Sequence, residues 1–460
     1  MTFPAYPAYK DSEVEWLGEV PEHWKVLPVK WVGWLKGGAG FPHDKQGVDS
    51  HELDFHKVNA LASADSDGVL RSSENTITRE TAKELGAYVF PKGTIVFAKV
   101  GAALLLGRLR TISAEACIDN NMMGLIVFQG KVSNQFVLYS MGTVRFDLIA
   151  NPGAVPSLNE GQIGNYRLAI PGLPEQTQIA RFLDHETARI DALIEEQQRL
   201  IELLKEKRQA VISHAVTKGL DSTVPMKDSG VEWLGEVPAH WDVGALRWYA
   251  TIQGGIAKGK DYEGRETVVM PYLRVANVQN GYVDLTEVKE ISVLESEVER
   301  YRLRAGDVLM NEGGDNDKLG RGTVWQAQIE PCLHQNHVFA IRPNDSLNAE
   351  WLATFTQSEQ ARAYFFLNSK QSTNLASISA SNVMSLALPI PPVSEQQEII
   401  AYLEEDRSRY EQLTGVAIST VGLLQERRSA LISAAVTGKI DVRGWQPAAR
   451  TQAPELEEAV

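Results

Sequence analysis

Two short stretches and two lone cysteines carry residue types that could do chemistry. Residues 254–261 read GGIAKGKD. They fit the G-x-x-x-x-G-K pattern of a phosphate-binding loop, whose backbone N–H groups cradle phosphates while a Ser or Thr ligates Mg²⁺. Here Asp261 stands where that hydroxyl belongs, no strongly apolar strand precedes, and no clear helix follows. The stretch reads as a flexible basic loop, and nucleotide binding is rejected. Asp284 with Glu287-Val288-Lys289 fits a nuclease-like carboxylate–lysine pattern only loosely, inside a charged surface run. Cys117 and Cys332 are the only cysteines. Two thiols make no zinc or disulfide framework; they read as buried residues in a reducing compartment. No H-E-x-x-H helix, G-x-S-x-G elbow or Cys/His cluster occurs. Nothing activates a nucleophile or holds a metal, so the sequence predicts binding rather than catalysis.

Candidate binding residues fall into parallel sets. Lys36 precedes Gly37-Gly38, and Lys258 and Lys260 follow Gly254-Gly255. Further along come Lys99, Arg108 and Arg110 in one stretch, and Asn311, Lys318 and Arg321 in the other. Glycine lets backbone approach a phosphate, Arg bridges guanine edges, and Asn bridges adenine. Taken singly, each is a solvated surface charge. Their matched placement makes them candidates for a nucleic-acid interface.

What must position them is a frame that occurs twice. Residues 11–24 read DSEVEWLGEVPEHW and 228–241 read DSGVEWLGEVPAHW, identical at 12 of 14 positions. A second repeat begins at Ile170 and Ile390, with 19 identities over 52 ungapped positions. Repeats fix architecture before local detail does. The stretches between the repeats look unrelated, so the chain reads as two equivalent mounts carrying two different readers. Gly and Pro inside each box argue for a turn-rich clamp rather than a helix. Trp16, Trp24, Trp233 and Trp241 are its packing anchors and the candidates for docking other subunits. His23 and His240 have no second titratable partner nearby in sequence and read as packing or hydrogen-bonding residues rather than catalytic ones.

At 460 residues the chain is too long for one ordinary core. Its 43% apolar and 23% charged content is that of a soluble globular protein. No run reaches membrane-span length, and the N-terminus lacks a secretory signal, so a cytoplasmic location is expected. The net charge of −14 argues at first against nucleic acid. Its distribution changes that. Residues 27–169 carry 14 basic and 13 acidic side chains and residues 244–389 carry 14 and 17, whereas 170–243 carry 8 and 13. The acidity sits mostly on the repeated frame, which leaves room for a basic face on each insert.

The expected domains are a box (1–26), an insert (27–169), a long helix (170–221), a linker with the second box (222–243), a second insert (244–389), a second long helix (390–441) and a disordered tail (442–460). The inserts read as short strands with turns and one helix, Phe136 to Leu148, giving a mixed α/β globule. Ile179, Leu193 and Leu200 interleave with Leu183, Ile190, Leu204 and Val211 in a coiled-coil seam. The helix so defined covers 175–216, roughly 63 Å at ~1.5 Å per residue. Ile399 and Leu413, with Leu403, Tyr410, Ala417, Leu424 and Leu431, repeat the pattern. The cheapest partner for each stripe is its copy in the same chain. An antiparallel intramolecular pair is expected, with an exposed stripe that binds another chain as the alternative.

The boxes, the I-P-x-x-x-E-Q before each long helix (Ile170–Gln176, Ile390–Gln396) and the helix ends KRQAVISHAVT and RRSALISAAVT together resemble the specificity subunit of type I restriction–modification systems. The resemblance spans nearly the whole chain. It implies an α+β fold: two mixed α/β target-recognition domains separated by two long antiparallel coiled-coil helices, with a pseudo-two-fold internal repeat. It implies that each insert reads one half of a bipartite, asymmetric sequence in double-stranded DNA. The helices would act as spacer and as docking surface for two methyltransferase subunits, which carry S-adenosylmethionine; restriction subunits would complete the complex. No cofactor is expected on this chain. The rival expectation is a coiled-coil protein scaffold without DNA binding.

Overall fold

The computed structural model describes residues 3–63, 67–260, 262–314, 319–320, 322–371 and 376–447. The chain forms two compact units, residues 1–196 with 421–460, and residues 197–420. Each unit contains one box, one insert, the N-terminal part of one long helix and the C-terminal part of the other.

The long helices are Leu173–Lys218 (46 residues) and Val393–Val436 (44 residues), about 69 and 66 Å at 1.5 Å per residue. They run antiparallel within each unit. In the first, Arg428 Nε donates to Asp191 Oδ1 at 2.8 Å. In the second, Ile212 shares a core with Ile399 and Leu403. Seam residues Ile179, Leu183, Ile190, Ile399, Leu403, Tyr410 and Ala417 are buried, whereas Leu193, Leu200 and Leu413 are exposed. Helices of this length stand by tertiary packing of a stripe rather than by propensity. Here that packing concentrates on the parts nearest the inserts.

Each box is a hairpin, Tyr9–Asp11 with Glu19–Pro21 and Met226–Asp228 with Glu236–Pro238. The D-S pair makes its turn. Asp11 Oδ1 accepts from Glu13 N at 2.8 Å, and Asp228 Oδ1 accepts from Gly230 N at 2.9 Å. That third residue has positive φ in both copies, 57° at Glu13 and 70° at Gly230. A difference between the boxes thus falls where glycine is free and glutamate is strained.

The inserts share a topology that their sequences hide. In the first unit Gly33–Gly37, Met122–Val127, Ile95–Ala98 and Leu109–Ile112 lie side by side, extended by Val69–Leu70. In the second unit Ala250–Gly254, Val338–Pro343, Val308–Asn311 and Gly322–Val324 follow the same order. A three-stranded sheet accompanies each: Ala116–Ile118, Leu53–His56 and Thr76–Ile77, or Lys289–Val293, Val268–Leu273 and Leu333–His334. The core strands Ile95–Ala98 and Val308–Asn311 are buried throughout. The helix expected over Phe136–Leu148 is broken: Asn134–Met141 and Phe146–Ile149 are separate helices. Gly142 closes the first, where its N–H reaches Leu138 O.

Cys117 and Cys332 are buried and unpaired by disulfide. Burial pushes their thiols up to about 11 and about 12. Among the described residues no group of three or more His, Cys, Asp or Glu is set to hold a metal. None of the described helices is long and apolar enough to cross a membrane.

Candidate nucleic-acid interface

The I-P-x-x-x-E-Q motif locks each insert onto its helix. Glu175 Oε1 accepts from Trp24 Nε1 at 3.1 Å, and its Oε2 lies 2.8 Å from His23 Nε2. Glu395 repeats this with Trp241 Nε1 at 3.0 Å and His240 Nε2 at 2.8 Å. The following glutamine is fully buried. Gln176 Oε1 accepts from Ser133 N at 2.7 Å, and Gln396 Oε1 accepts from Asn348 N at 2.8 Å. Ser133 and Asn348 are the N-caps of an insert helix in each unit. The far end of the other long helix closes the clamp. Gly438 (φ +75°) and Gly219 (φ +77°) pack against Trp24 and Trp241. Lys439 and Lys218 donate to the carbonyls of Glu19 and Glu236. Their order differs, Lys218-Gly219 against Gly438-Lys439, yet both ammonium groups reach the same place in the hairpin.

This clamp corrects part of the docking expectation. Trp24 and Trp241 are fully buried, so neither offers a face to another subunit. Trp16 is 45% exposed but stacks on Tyr166 at 4.7 Å, and Trp233 packs on Tyr364 at 5.3 Å. Of the two roles expected for the histidines, hydrogen bonding is the one observed; their partners Glu175 and Glu395 lie more than 150 residues away in sequence.

The first unit brings its candidate cations to one end of its sheet. The register pairs Lys36 with Gly124, Met122 with Ala98, and Phe97 with Leu109. Lys36 and Lys99 flank Gly37, whose added Cβ would lie 2.8 Å from Lys99 Nζ. Arg108 is exposed at the same end, following the turn at Gly107 (φ +59°). Arg110 is half-buried; its Nη1 donates to Leu109 O at 2.8 Å, and its Nε is buried with no partner. Burial, and then the neighbouring Arg108, lower its pKa. A guanidinium so placed, with no carboxylate bonded to it among the described residues, is suited to an incoming anion.

The second unit differs. Lys258 is exposed. Lys260 donates to Glu297 Oε1 at 2.7 Å and lies 5.3 Å over the Tyr301 ring, so its charge is already engaged. Asn311 is buried, and its Nδ2 donates to Val278 O at 3.1 Å. It organises a loop rather than facing a ligand, which removes it from the candidate contacts. Lys318 and Arg321 lie outside the described residues. The glycine pairs also change meaning. A Cβ on Gly38 or Gly255 would lie 2.0 Å from the carbonyl of Asp119 or His334. Gly38 and Gly255 are there so that one strand end can seat against another, and no phosphate cradle is needed to explain them. The strand Ala250–Gly254 is followed by the strand Val268–Leu273, with no helix between them among the described residues.

Glu312, His337, Lys370 and Gln371 escaped the sequence reading. They line an open pocket of about 390 Å³ at the end of the second sheet. The available signal was the polar triplet after a buried strand in each insert, Asp119-Asn120-Asn121 and Gln335-Asn336-His337.

Residues 21–204 and 238–408 match the family model described as the type I restriction modification DNA specificity domain. The type I restriction enzyme EcoKI specificity subunit of Escherichia coli K12 is 22% identical over 398 residues, covering 84% of this chain and 83% of that protein. The StySPI specificity subunit of Salmonella potsdam is 21% identical over 396 residues, with 84% and 83% covered. In structure, the chain is similar to the HsdS subunit from Thermoanaerobacter tengcongensis, with a TM-score of 0.52, 16% identity, and 92% and 98% covered. A chain from a study of complex assembly and conformational transition of the type I R-M system gives a TM-score of 0.66 at 15% identity, with 91% and 98% covered. The duplicated clamp, the common insert topology and the family match over both halves agree: the chain belongs to the type I restriction modification DNA specificity domain family.

Proposed function

We propose that this chain is the sequence-reading subunit of a type I restriction–modification assembly, non-catalytic itself, and that each insert recognises one half of a bipartite target in double-stranded DNA. The observation that carries this reading is the pairing of sameness and difference. The two units share clamp, strand order and glycine-packed strand ends, yet present different side chains at the end of the sheet. Phosphate contacts position a protein on the duplex and base contacts specify sequence. Lys36, Arg108 and Arg110 suit the first role in the first unit, and Lys258 in the second.

The chemistry belongs to partner chains in this reading. Two methyltransferase subunits supply S-adenosylmethionine and methylate adenine, restriction subunits join them, and the whole works in the cytoplasm. The exposed apolar residues Leu200, Leu203, Leu413, Val416 and Ile418 of the second unit's helices are better suited to docking than the buried tryptophans, because apolar area exposed on a folded chain favours a protein partner. Unlike inserts call for unlike half-sites, hence an asymmetric target.

The test is to map methylated adenines in a host with and without this gene, alongside co-purification and DNA retardation. A bipartite, non-palindromic methylation motif that appears only with the gene is expected. A palindromic motif would count against unlike readers. Capture of protein partners without any sequence-dependent retardation would favour the scaffold.

A further inference from the structure

Lys99 and Glu312 occupy the same structural position in the two units. In the first unit Lys99 N donates to Asn121 O at 2.8 Å, and Leu158 N donates to Lys99 O at 2.8 Å. In the second, Glu312 N donates to His337 O at 2.9 Å, and Ile378 N donates to Glu312 O at 2.8 Å. The surroundings match bond for bond. Met122 N bonds Asp119 O as Val338 N bonds Gln335 O, and Asp119 N bonds His56 O as Gln335 N bonds Leu273 O. Ala39 N bonds Ile118 O as Ile256 N bonds His334 O. The backbone at this end of the sheet is therefore duplicated, while the side chain it presents changes from a cation to an anion.

We propose that this position reads a base edge in both units, with opposite chemistry. Lys99 favours a hydrogen-bond acceptor with no donor beside it (guanine O6/N7 or thymine O4, whereas adenine sets its N6 amino group beside N7) in one half-site. Glu312 demands an exocyclic amino donor (cytosine N4 or adenine N6) in the other. The inference rests on the DNA-recognition reading above.

An ammonium offers only donors and a carboxylate only acceptors, and the major groove displays both kinds of edge. A carboxylate on this surface cannot serve the phosphate backbone, because like charges repel. Where it approaches a duplex, base edges are what it can bond. Its geometry suits that use. His337 Nδ1 holds Glu312 Oε2 at 2.7 Å, which fixes the carboxyl plane; among the described residues Oε1 has no partner and can meet a ligand. Both side chains stay accessible, 30% for Glu312 and 55% for His337. Gly313 and Gly314 follow directly, so no side chain stands beside Glu312 on its C-terminal side. Lys370 and Gln371 line the same pocket and supply donors for the neighbouring phosphate or base.

The test is selection from a pool of fully randomised duplexes by the full chain with the methyltransferase chains that co-purify with it. Wild type should enrich two half-sites, each with at least one required base pair. Glu312→Gln, which keeps the shape and adds a donor, should relax one base position in one half-site only, lowering discrimination there on the order of tenfold. Lys99→Gln should do the same in the other half-site. Glu312→Lys should shift the preference at its position to guanine or thymine. A motif unchanged by Glu312→Gln and Lys99→Gln, or binding weakened uniformly across sequences, overturns the inference alone. A wild-type chain that enriches no motif overturns the DNA-recognition reading and this inference with it. A purely structural Glu312–His337 pair would move thermal stability without moving base identity, and that result also overturns it.

Discussion

At the scale of single residues, the candidate cations of the two units fall into two kinds. Arg108 and Arg110 have no carboxylate bonded to them among the described residues, whereas Lys260 in the second unit is bound to Glu297. Arg108→Ala and Arg110→Ala should each weaken DNA binding for all sequences. Each should also lower the slope of log affinity against log salt by about 1, because each releases about one counterion fewer. Lys260→Ala should leave that slope nearly unchanged. Equal slopes for all three variants, measured by titration at several salt concentrations, would refute the distinction. The buried histidines make a second, independent prediction. Burial holds His56 and His334 below their ordinary value of 6.5, so folding keeps both neutral. His334 Nδ1 lies 2.7 Å from Val338 O, which fixes the proton on that nitrogen. The unfolded chain takes up protons near pH 6.5 that the folded chain refuses. The stability due to these groups is therefore full above that pH and falls as pH drops below it. Denaturation midpoints at pH 8 and pH 5.5 should differ less in His334→Gln than in wild type; an equal difference would show that His334 does not titrate this way.

At the scale of elements, the long helices and the boxes were legible because they are written twice and carry heptad spacing. The helix ends lie within two residues of the predicted 175–216 at both ends. The common topology of the inserts was not legible. A strand ladder is made of backbone bonds, and the pairing of Lys99 with Asn121 or Glu312 with His337 leaves no trace in residue identity. The clamp was half legible: Trp24 and Glu175 each stood out, but nothing local joins residues 151 apart. Among the candidate contacts, Lys36, Lys99 and Arg108 lie at one sheet end, a placement the sequence did not give. Asn311 went inside because its strand is buried along its whole length. The boxes also offer an experiment already half performed by the sequence. Glu13 and Gly230 adopt the same left-handed turn, and an L side chain there costs roughly 1–2 kcal/mol. Glu13→Gly should stabilise the first unit by about 1 kcal/mol after the entropy of the unfolded glycine is subtracted. Gly230→Glu should destabilise the second by a similar amount. Urea denaturation of both variants checks the signs, and a destabilising Glu13→Gly would mean that the turn is held by contacts of the glutamate side chain.

At the scale of the whole molecule, the duplicated frame and the divergent sheet ends divide labour between constancy and choice. A clamp made of buried Trp and Gln around a partly buried Glu tolerates little change, since removing a buried tryptophan typically costs about 3–5 kcal/mol. The sheet-end side chains carry no such burden and are free to differ. Trp241→Ala should therefore abolish recognition of both half-sites by lowering the amount of folded protein, whereas Lys99→Gln should alter one half-site in a chain that stays folded. Circular dichroism beside the binding measurement separates the two. A folded Trp241→Ala chain that loses only one half-site would place the tryptophan in recognition instead.

The second unit is one uninterrupted segment, residues 197–420, while the first is assembled from both ends of the chain. Gly438 seats on Pro21 and Trp24, and Asp441 N reaches back to Pro4 O at 2.7 Å. On the ribosome, then, the reader translated first is the one completed last. At about 5–20 residues per second, its hairpin waits roughly 12 to 50 s while residues 197–440 are synthesised. Through that interval the Trp24 face lacks its glycine lid, and the nascent chain must stay soluble with an unfinished clamp.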